Sequence, residues 1–302
     1  MSGFRHGVDL GGTKTEIVTL DDGGREVFRR RVPTARGDYR ALVHAIAGLV
    51  AAADEAVGAA GHVGVGIPGA ISPATGLVKN ANTTELIGED LRGDLATVLG
   101  RPVRLANDAD CFTLSEATDG AGAGFRTVFG VILGTGVGGG IAVDGRLLSG
   151  PNAIAGEWGH NPLPWPADDE RPGPACYCGK HGCIETFLSG PGFRLDHRGR
   201  TGADMTTREI VTAAEGGEPA ARESLSRYAA RLARSLATVV NVLDPDVIVL
   251  GGGMSNIDAI HDAVPARIGR HVFSDRCDTP IRRARFGDSS GVRGAAWLWP
   301  ST

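Results

Sequence analysis

No apolar run in this chain approaches the roughly 20 residues that a membrane-crossing helix needs. The opening residues, Met1-Ser2-Gly3-Phe4-Arg5-His6, lack the apolar core of a signal peptide. A membrane partner is therefore not expected, and a cytoplasmic location is. Basic charge is not in excess. Lys and Arg number 31 against 35 Asp and Glu, a net charge of −4. Without a basic stripe, nucleic acid is not an expected partner. Cysteine is scarce and odd in number: Cys111, Cys176, Cys178, Cys183 and Cys277. That argues against a disulfide framework. A Walker-type Gly-x-x-x-x-Gly-Lys-Ser/Thr loop is also missing, as are a low-complexity tail and a long linker.

Glycine is what the chain has in excess, at 46 of 302 residues, about double ordinary usage. Two glycine turns each follow an apolar strand. One is Gly7-Val8-Asp9-Leu10-Gly11-Gly12-Thr13-Lys14, and the other runs from Gly130 to Gly140. Overlaid, they read as one unit used twice: strand, glycine turn, strand, tight turn. Glycine lets backbone N–H groups approach an anion closely. Two such cradles would grip a polyphosphate, which points to nucleotide-dependent phosphoryl transfer. Gly134-x-Gly136-x-x-Gly139 also matches a dinucleotide fingerprint. That reading needs a helix directly after the turn. Here Gly140-Ile141-Ala142-Val143 continues as a short apolar run into Asp144-Gly145, so the hairpin reading is preferred.

Around these turns the pattern alternates strand and helix. Strands are expected over 7–10, 15–20, 26–32, 63–67, 103–105 and 247–250. Helices are expected from an N-cap at Asp38, over 90–99, 109–117, 222–243 and 289–298. A loop rich in Pro and Gly runs from Pro162 to Pro174. The order is that of an α/β protein with mixed sheets.

Asn107-Asp108 ends a buried strand, where open α/β sheets bind their ligands. The pair could equally cap the helix that follows. A sugar hydroxyl is a poor nucleophile, and a carboxylate that takes its proton helps it attack phosphorus. Asp108 is the candidate base, with Asp110 behind it. Cys176, Cys178 and Cys183, with His160 upstream, form a Cys₃His set suited to a closed structural zinc site. Three reduced thiols without metal are the alternative, and His181 is the alternative fourth ligand. Glu157 and Glu185 flank the cluster, and such a site would hold both carboxylates toward sugar hydroxyls.

Together these motifs resemble the sugar kinases of the ROK family (repressors, open reading frames and kinases). Asp9 to Lys14 is similar to the first phosphate motif, and Leu133 to Gly140 to the second. Gly156 to His160 and Cys176 to Glu185 are similar to the sugar-and-zinc signature. Several stretches, among them Lys79 to Asn82 and Asp244 to Asn256, look closest to bacterial fructokinases of the manno(fructo)kinase type. The resemblance implies an actin/hexokinase-like (ribonuclease H-like) fold, two duplicated α/β domains with a cleft between them. It suggests a small domain over 1–118, completed by a C-terminal helix at 288–302, and a large domain with the zinc loop over 119–287. It implies a homodimer, with ATP, Mg²⁺ and structural Zn²⁺.

By the same resemblance Asp108 is the catalytic base. Gly69, Asn82, Asn107, Glu157, His160 and Glu185 hold the sugar. Gly11, Gly12, Thr13, Lys14, Gly134, Thr135, Gly136, Gly138 and Gly139 hold ATP phosphates, Asp9 helps place Mg²⁺, and Gly251, Gly252 and Gly253 approach the adenosine. His160, Cys176, Cys178 and Cys183 bind the zinc. Asp110 departs from the asparagine of close relatives. Fructose is the expected hexose, phosphorylated at its 6-hydroxyl; mannose, glucose or an N-acetylhexosamine are alternatives. A sugar-responsive regulator or a non-catalytic sugar-binding protein is the rival class. The first phosphate motif begins at Gly7, so an N-terminal DNA-binding domain is not expected.

Overall fold

The computed structural model describes residues 3–81 and 83–300. Asn82, expected in the sugar pocket, lies outside the described residues. The chain divides into two compact units. One comprises Met1–Gly124, Gly140–Ala155 and Arg285–Thr302, and the other Phe125–Gly139 and Gly156–Ala284.

In the first unit, β1 (Arg5–Leu10) and β2 (Lys14–Leu20) form an antiparallel hairpin closed by the first glycine turn, with Leu10 opposite Thr15. β3 (Glu26–Pro33) pairs with β2. α1 (Tyr39–Val57) starts at Asp38, whose carboxylate accepts the Ala41 N–H. Its stripe of Leu42, Ile46, Leu49, Val50 and Ala53 is buried in one core with Val8, Ile17 and Val65. There follow β4 (His62–Ile67), a short ribbon of β5 (Ala70–Ile71) and β6 (Val78–Lys79), α2 (Leu91–Leu99), β7 (Val103–Asn107) and α3 (Asp108–Thr118). The sheet order is β3-β2-β1-β4-β7, with β1, β4 and β7 parallel.

The second sheet repeats this plan. β8 (Thr127–Leu133) leads through the second glycine turn into β9 (Val137–Val143), and β10 (Arg146–Leu147) follows the Asp144-Gly145 turn. The boundary between the units falls inside β9, after Gly139. Helices α4 (Ile184–Leu188), α5 (Gly190–Thr201), α6 (Thr207–Glu215) and α7 (Pro219–Leu243) precede β11 (Val247–Gly251). Then come α8 (Asp258–Ala263), α9 (Pro265–Ile268) and β12 (Ile281–Arg283). The order is β10-β9-β8-β11-β12, with β8, β11 and β12 parallel. The duplication glimpsed in the turns therefore extends to five strands. The last helix, α10 (Ser290–Trp297), belongs to the first unit, where Val292 and Ala296 are buried with Val18 and Leu20.

α7 starts at Pro219, ahead of the expected Arg222. Proline suits the first helical turn, and the Glu218 carboxylate accepts the N–H groups of Ala220 and Ala221. The loop after Pro162 contains a 3₁₀ turn, Asp168–Glu170. Glu170 is buried and accepts from Arg231 Nε (2.8 Å) and from Arg234 (2.5 Å), both on α7. Arg231 also donates to Asp196 at 2.8 Å. Buried charges that are paired and hydrogen-bonded in this way pin the loop to the long helix.

Candidate functional site

In the first unit, strand register gathers the acidic candidates. Asp9 on β1 lies opposite Gly66 of β4, and Ile67 of β4 lies opposite Asn107 of β7. Asp9, Gly69 and Asn107-Asp108 thus stand at or just past the carboxyl ends of three adjacent parallel strands. Asn107 uses its whole amide. Its Oδ1 accepts the Ala109 N–H and caps α3, and its Nδ2 donates to the Gly69 carbonyl, each at 2.9 Å. Gly69 has φ +88, and a Cβ there would sit 2.5 Å from the Lys79 carbonyl oxygen. Its glycine is thus required by the β5–β6 ribbon. Asp108 is exposed at the first position of α3, where the helix N-terminus favours its negative charge. Asn107 realises the capping reading, and Asp108 stands beside it at the strand end. Burial foremost, then the charges of Asp108 and Glu16, push the Asp9 carboxyl up to about 6.

The first glycine turn is braced on its carbonyl side. Gly11 O accepts from Thr34 Oγ1 (2.7 Å), Gly12 O from Arg36 Nε (2.6 Å) and Thr13 O from the Thr34 N–H (3.1 Å). Gly12, Thr13 and Lys14 are exposed. In the second unit, Gly134 N donates to Gly136 O at 2.9 Å. Glu185 Oε2 accepts the Val137 N–H (2.8 Å), and Trp158 Nε1 donates to Gly138 O (3.0 Å). A strand follows this turn, so the dinucleotide reading has no helix to stand on. Gly251 ends β11 opposite Ile132 of β8, which brings Gly251 to Gly253 beside the Gly134 turn. Thr34, Arg36 and Trp158 were not among the sequence candidates. Glu185 was, but as a sugar ligand rather than as a brace of this turn.

The cysteine loop closes on itself as its turn residues suggest. Cys176 N donates to Lys180 O and Gly179 N to Cys176 O. The ligand atoms of His160, Cys176, Cys178 and Cys183 all lie within 4.8 Å of one another. His181 is not in this group. Cys178 and Cys183 sulfurs are 3.6 Å apart, and Cys176 Sγ is 3.5 Å from His160 Nδ1. Tetrahedral zinc with Zn–S near 2.3 Å and Zn–N near 2.0–2.1 Å has edges of about 3.5–3.8 Å. These two separations match such edges, and the Cys₃His donor set suits that ion, with Nδ1 as the imidazole ligand. Burial foremost pushes the Cys183 thiol up to about 12 and the Cys176 thiol upward. A cation is what would make thiolates of both near neutral pH.

Glu157 is exposed just before the 3₁₀ turn Trp158–His160, and Glu185 is half-buried in the first turn of α4. Tyr177, also not among the candidates, reaches His160: its Oη lies 3.0 Å from Nε2. It sets a phenol hydroxyl against the outer nitrogen of the imidazole.

Two duplicated α/β units with glycine turns, strand-end acids and a Cys₃His loop define a class. The chain belongs to the ROK family, whose description matches residues 5–302. It has the actin/hexokinase-like two-domain fold and is an ATP-dependent sugar kinase of that family. It is 41% identical over 297 residues to an N-acetyl-D-glucosamine kinase of Yersinia enterocolitica serotype O:8, covering 97% of this chain and 98% of that protein. The N-acetyl-D-glucosamine kinase of Escherichia coli strain K12 / DH10B is also 41% identical, with the same coverage. Among solved structures, the ROK hexokinase from Thermus thermophilus has a TM-score of 0.86 at 32% identity, over 97% of this chain and 96% of its own. A ROK family glucokinase from Streptomyces griseus, in complex with glucose and AMPPNP, has a TM-score of 0.79 at 29% identity, over 98% and 99%.

Proposed function

We propose that this kinase phosphorylates the 6-hydroxyl of N-acetyl-D-glucosamine. The observation that carries the reading is the 41% identity, along 97% of the chain, to kinases named for that sugar. Fructose rested on shorter stretches of resemblance, and an N-acetylhexosamine stood among the alternatives. Whole-chain likeness outweighs those stretches. In this reading Asp108 accepts the 6-hydroxyl proton as that oxygen attacks the γ-phosphorus of ATP in line. Its exposure at a helix N-terminus, an end that favours negative charge, supports the assignment. Asn107, Gly69, Glu157, His160, Glu185 and Asn82 hold the sugar. The turns around Gly11 to Lys14 and Gly134 to Gly139 hold the phosphates with backbone amides, and Gly251 to Gly253 meet the adenosine. Mg²⁺ supplies charge neutralisation on the transferred phosphoryl group, and Asp9 is the residue assigned to it. Zinc in the Cys₃His site organises the sugar-binding loop. A cytoplasmic setting goes with ATP as donor.

A homodimer goes with the reading too. Trp165 stacks on His271, and Asn241 bonds to the backbone of His271 and Phe273. There Val242 is 90% and Phe273 100% exposed, an apolar face suited to a second copy. Sedimentation across a concentration series that finds only monomer would refute it.

A coupled ADP-release assay over N-acetylglucosamine, N-acetylmannosamine, glucose, mannose and fructose tests the substrate. N-acetylglucosamine should lead in kcat/KM by about tenfold or more, a gap of one good hydrogen bond at C2. Fructose in first place would overturn the reading. A regulator or a passive sugar-binding protein would bind sugar and release no ADP.

A further inference from the structure

We infer that Tyr177 is a positioning residue for His160, holding its outer nitrogen in the sugar-free protein and yielding that nitrogen to a sugar hydroxyl on binding. The second half rests on the proposed function, while the first half does not. His160 is held at both ring nitrogens. Nδ1 faces Cys176 Sγ at 3.5 Å, and Nε2 faces Tyr177 Oη at 3.0 Å. The two rings also meet edge to face, with centroids 5.1 Å apart and planes at 90°. An imidazole pinned this way cannot rotate about its ring axis without losing both partners.

The chemistry assigns the donor. When Nδ1 ligates a metal it carries no proton, so the neutral ring keeps its proton on Nε2. Nε2–H then donates, and the Tyr177 oxygen accepts. This is the outer-shell bond that fixes tautomer and orientation in histidine metal sites. The partner here is unusual in its setting, because Tyr177 is 84% exposed. Swinging it away would give up little buried surface. Glu157 and Glu185, the assigned sugar carboxylates, are electrostatic neighbours of the same phenol. A sugar hydroxyl both donates and accepts, as the phenol does. Exchanging one for the other on Nε2 conserves the hydrogen bond, so the hand-over costs little.

Tyr177→Phe keeps the ring contact and removes only the acceptor, at a surface position where folding is not at risk. The test is zinc affinity of the zinc-loaded protein by competition with a chromogenic chelator, with and without saturating N-acetylglucosamine and without ATP. Without sugar the variant should hold zinc about 10-fold or more weakly than the parent. With sugar the two should converge. Equal affinity without sugar would overturn the positioning role. A deficit that persists undiminished with sugar would overturn the hand-over and leave a structural tyrosine. Failure of the substrate reading is separately visible as no phosphorylation of N-acetylglucosamine by the parent protein. In that case the sugar-free comparison still decides the first half.

Discussion

Adjacent glycines at 252 and 253 are expected to fail for opposite reasons when replaced by alanine. Gly252 has φ 80 and ψ 170, a region that is essentially glycine's alone and costs other residues about 1–3 kcal/mol. A Cβ there would stand 2.5 Å from the Leu133 carbonyl oxygen, 2.7 Å from its carbon and 2.9 Å from its nitrogen. Those atoms belong to β8, whose Val131 and Ile132 are in register with Leu250 and Gly251 of β11, so they cannot retreat. Gly252→Ala should therefore cost at least about 3 kcal/mol, the top of that range. Gly253 is different. A Cβ built on it meets nothing within 4 Å, and its φ lies outside the left-handed region. Alanine there should leave stability unchanged, or raise it by about 0.4–1 kcal/mol through the unfolded chain. No packing accounts for glycine at 253; under the proposed adenosine role, a Cβ there would obstruct the approach of ATP to the backbone. Gly253→Ala should then raise KM for ATP about tenfold, a loss of about 1.4 kcal/mol, with KM for the sugar unchanged. Urea denaturation and steady-state kinetics on both variants read this directly. An unaltered KM for ATP in Gly253→Ala removes the adenosine assignment, and an unaltered stability in Gly252→Ala refutes the strain argument.

Two further outcomes follow from the acids at the strand ends. Asp108→Asn should lower kcat by roughly 10²–10⁴-fold if general-base catalysis carries the step, with sugar binding by calorimetry little changed; near-normal turnover would take Asp108 out of that role. Asp9 titrates near 6 in the folded protein against 3.8 unfolded, so the folded state binds that proton more tightly. Its stabilising contribution is complete below the unfolded value and is lost as pH rises through the folded one. In Mg²⁺-free buffer the stability of the parent should fall relative to Asp9→Asn between pH about 4 and about 6. A difference that stays flat over that window would show that Asp9 is not held in a desolvating environment.

The features legible in the sequence were those that a few consecutive residues determine. Asp38 caps its helix, as a polar residue before a helical stripe implies, while Asp90, read as the first residue of its helix, proves to be the cap. The glycine turns close the hairpins around Gly11 and Gly134. The cysteine loop could be read because Cys176, Cys178 and Cys183 lie so close in the chain that a turn alone must bring them together. His160 joins from further away, across a loop that carries the 3₁₀ turn Asp168–Glu170. Sheet order was less accessible, since β1 pairs with β4 and β8 with β11 across long intervening segments. β10 and β12 are too short to carry a periodic signal. Choice of sugar was hardest. Candidate hexoses differ at C1 and C2, and one contact can reorder them without touching the phosphate or cysteine motifs.

The side chains that sequence reading overlooked share one trait. Thr34 and Arg36 brace the first turn through its carbonyl oxygens, and Trp158 braces the second through Gly138 O. A backbone carbonyl asks only for a donor at the right place, and a hydroxyl, a guanidinium or an indole meets that need equally. No residue type therefore marks the position, and no spacing does, because Thr34 lies 23 residues from its partner Gly11. The two turns share a strand–turn–strand frame and yet have no supporting side chain in common. What the duplicated units hold in common is backbone geometry, written in glycine. What distinguishes them is side-chain bracing, which only the folded chain discloses. The cysteine loop straddles that division: its cysteines are plain in the sequence, while the Tyr177 hydroxyl that meets His160 Nε2 becomes visible only once the loop is folded.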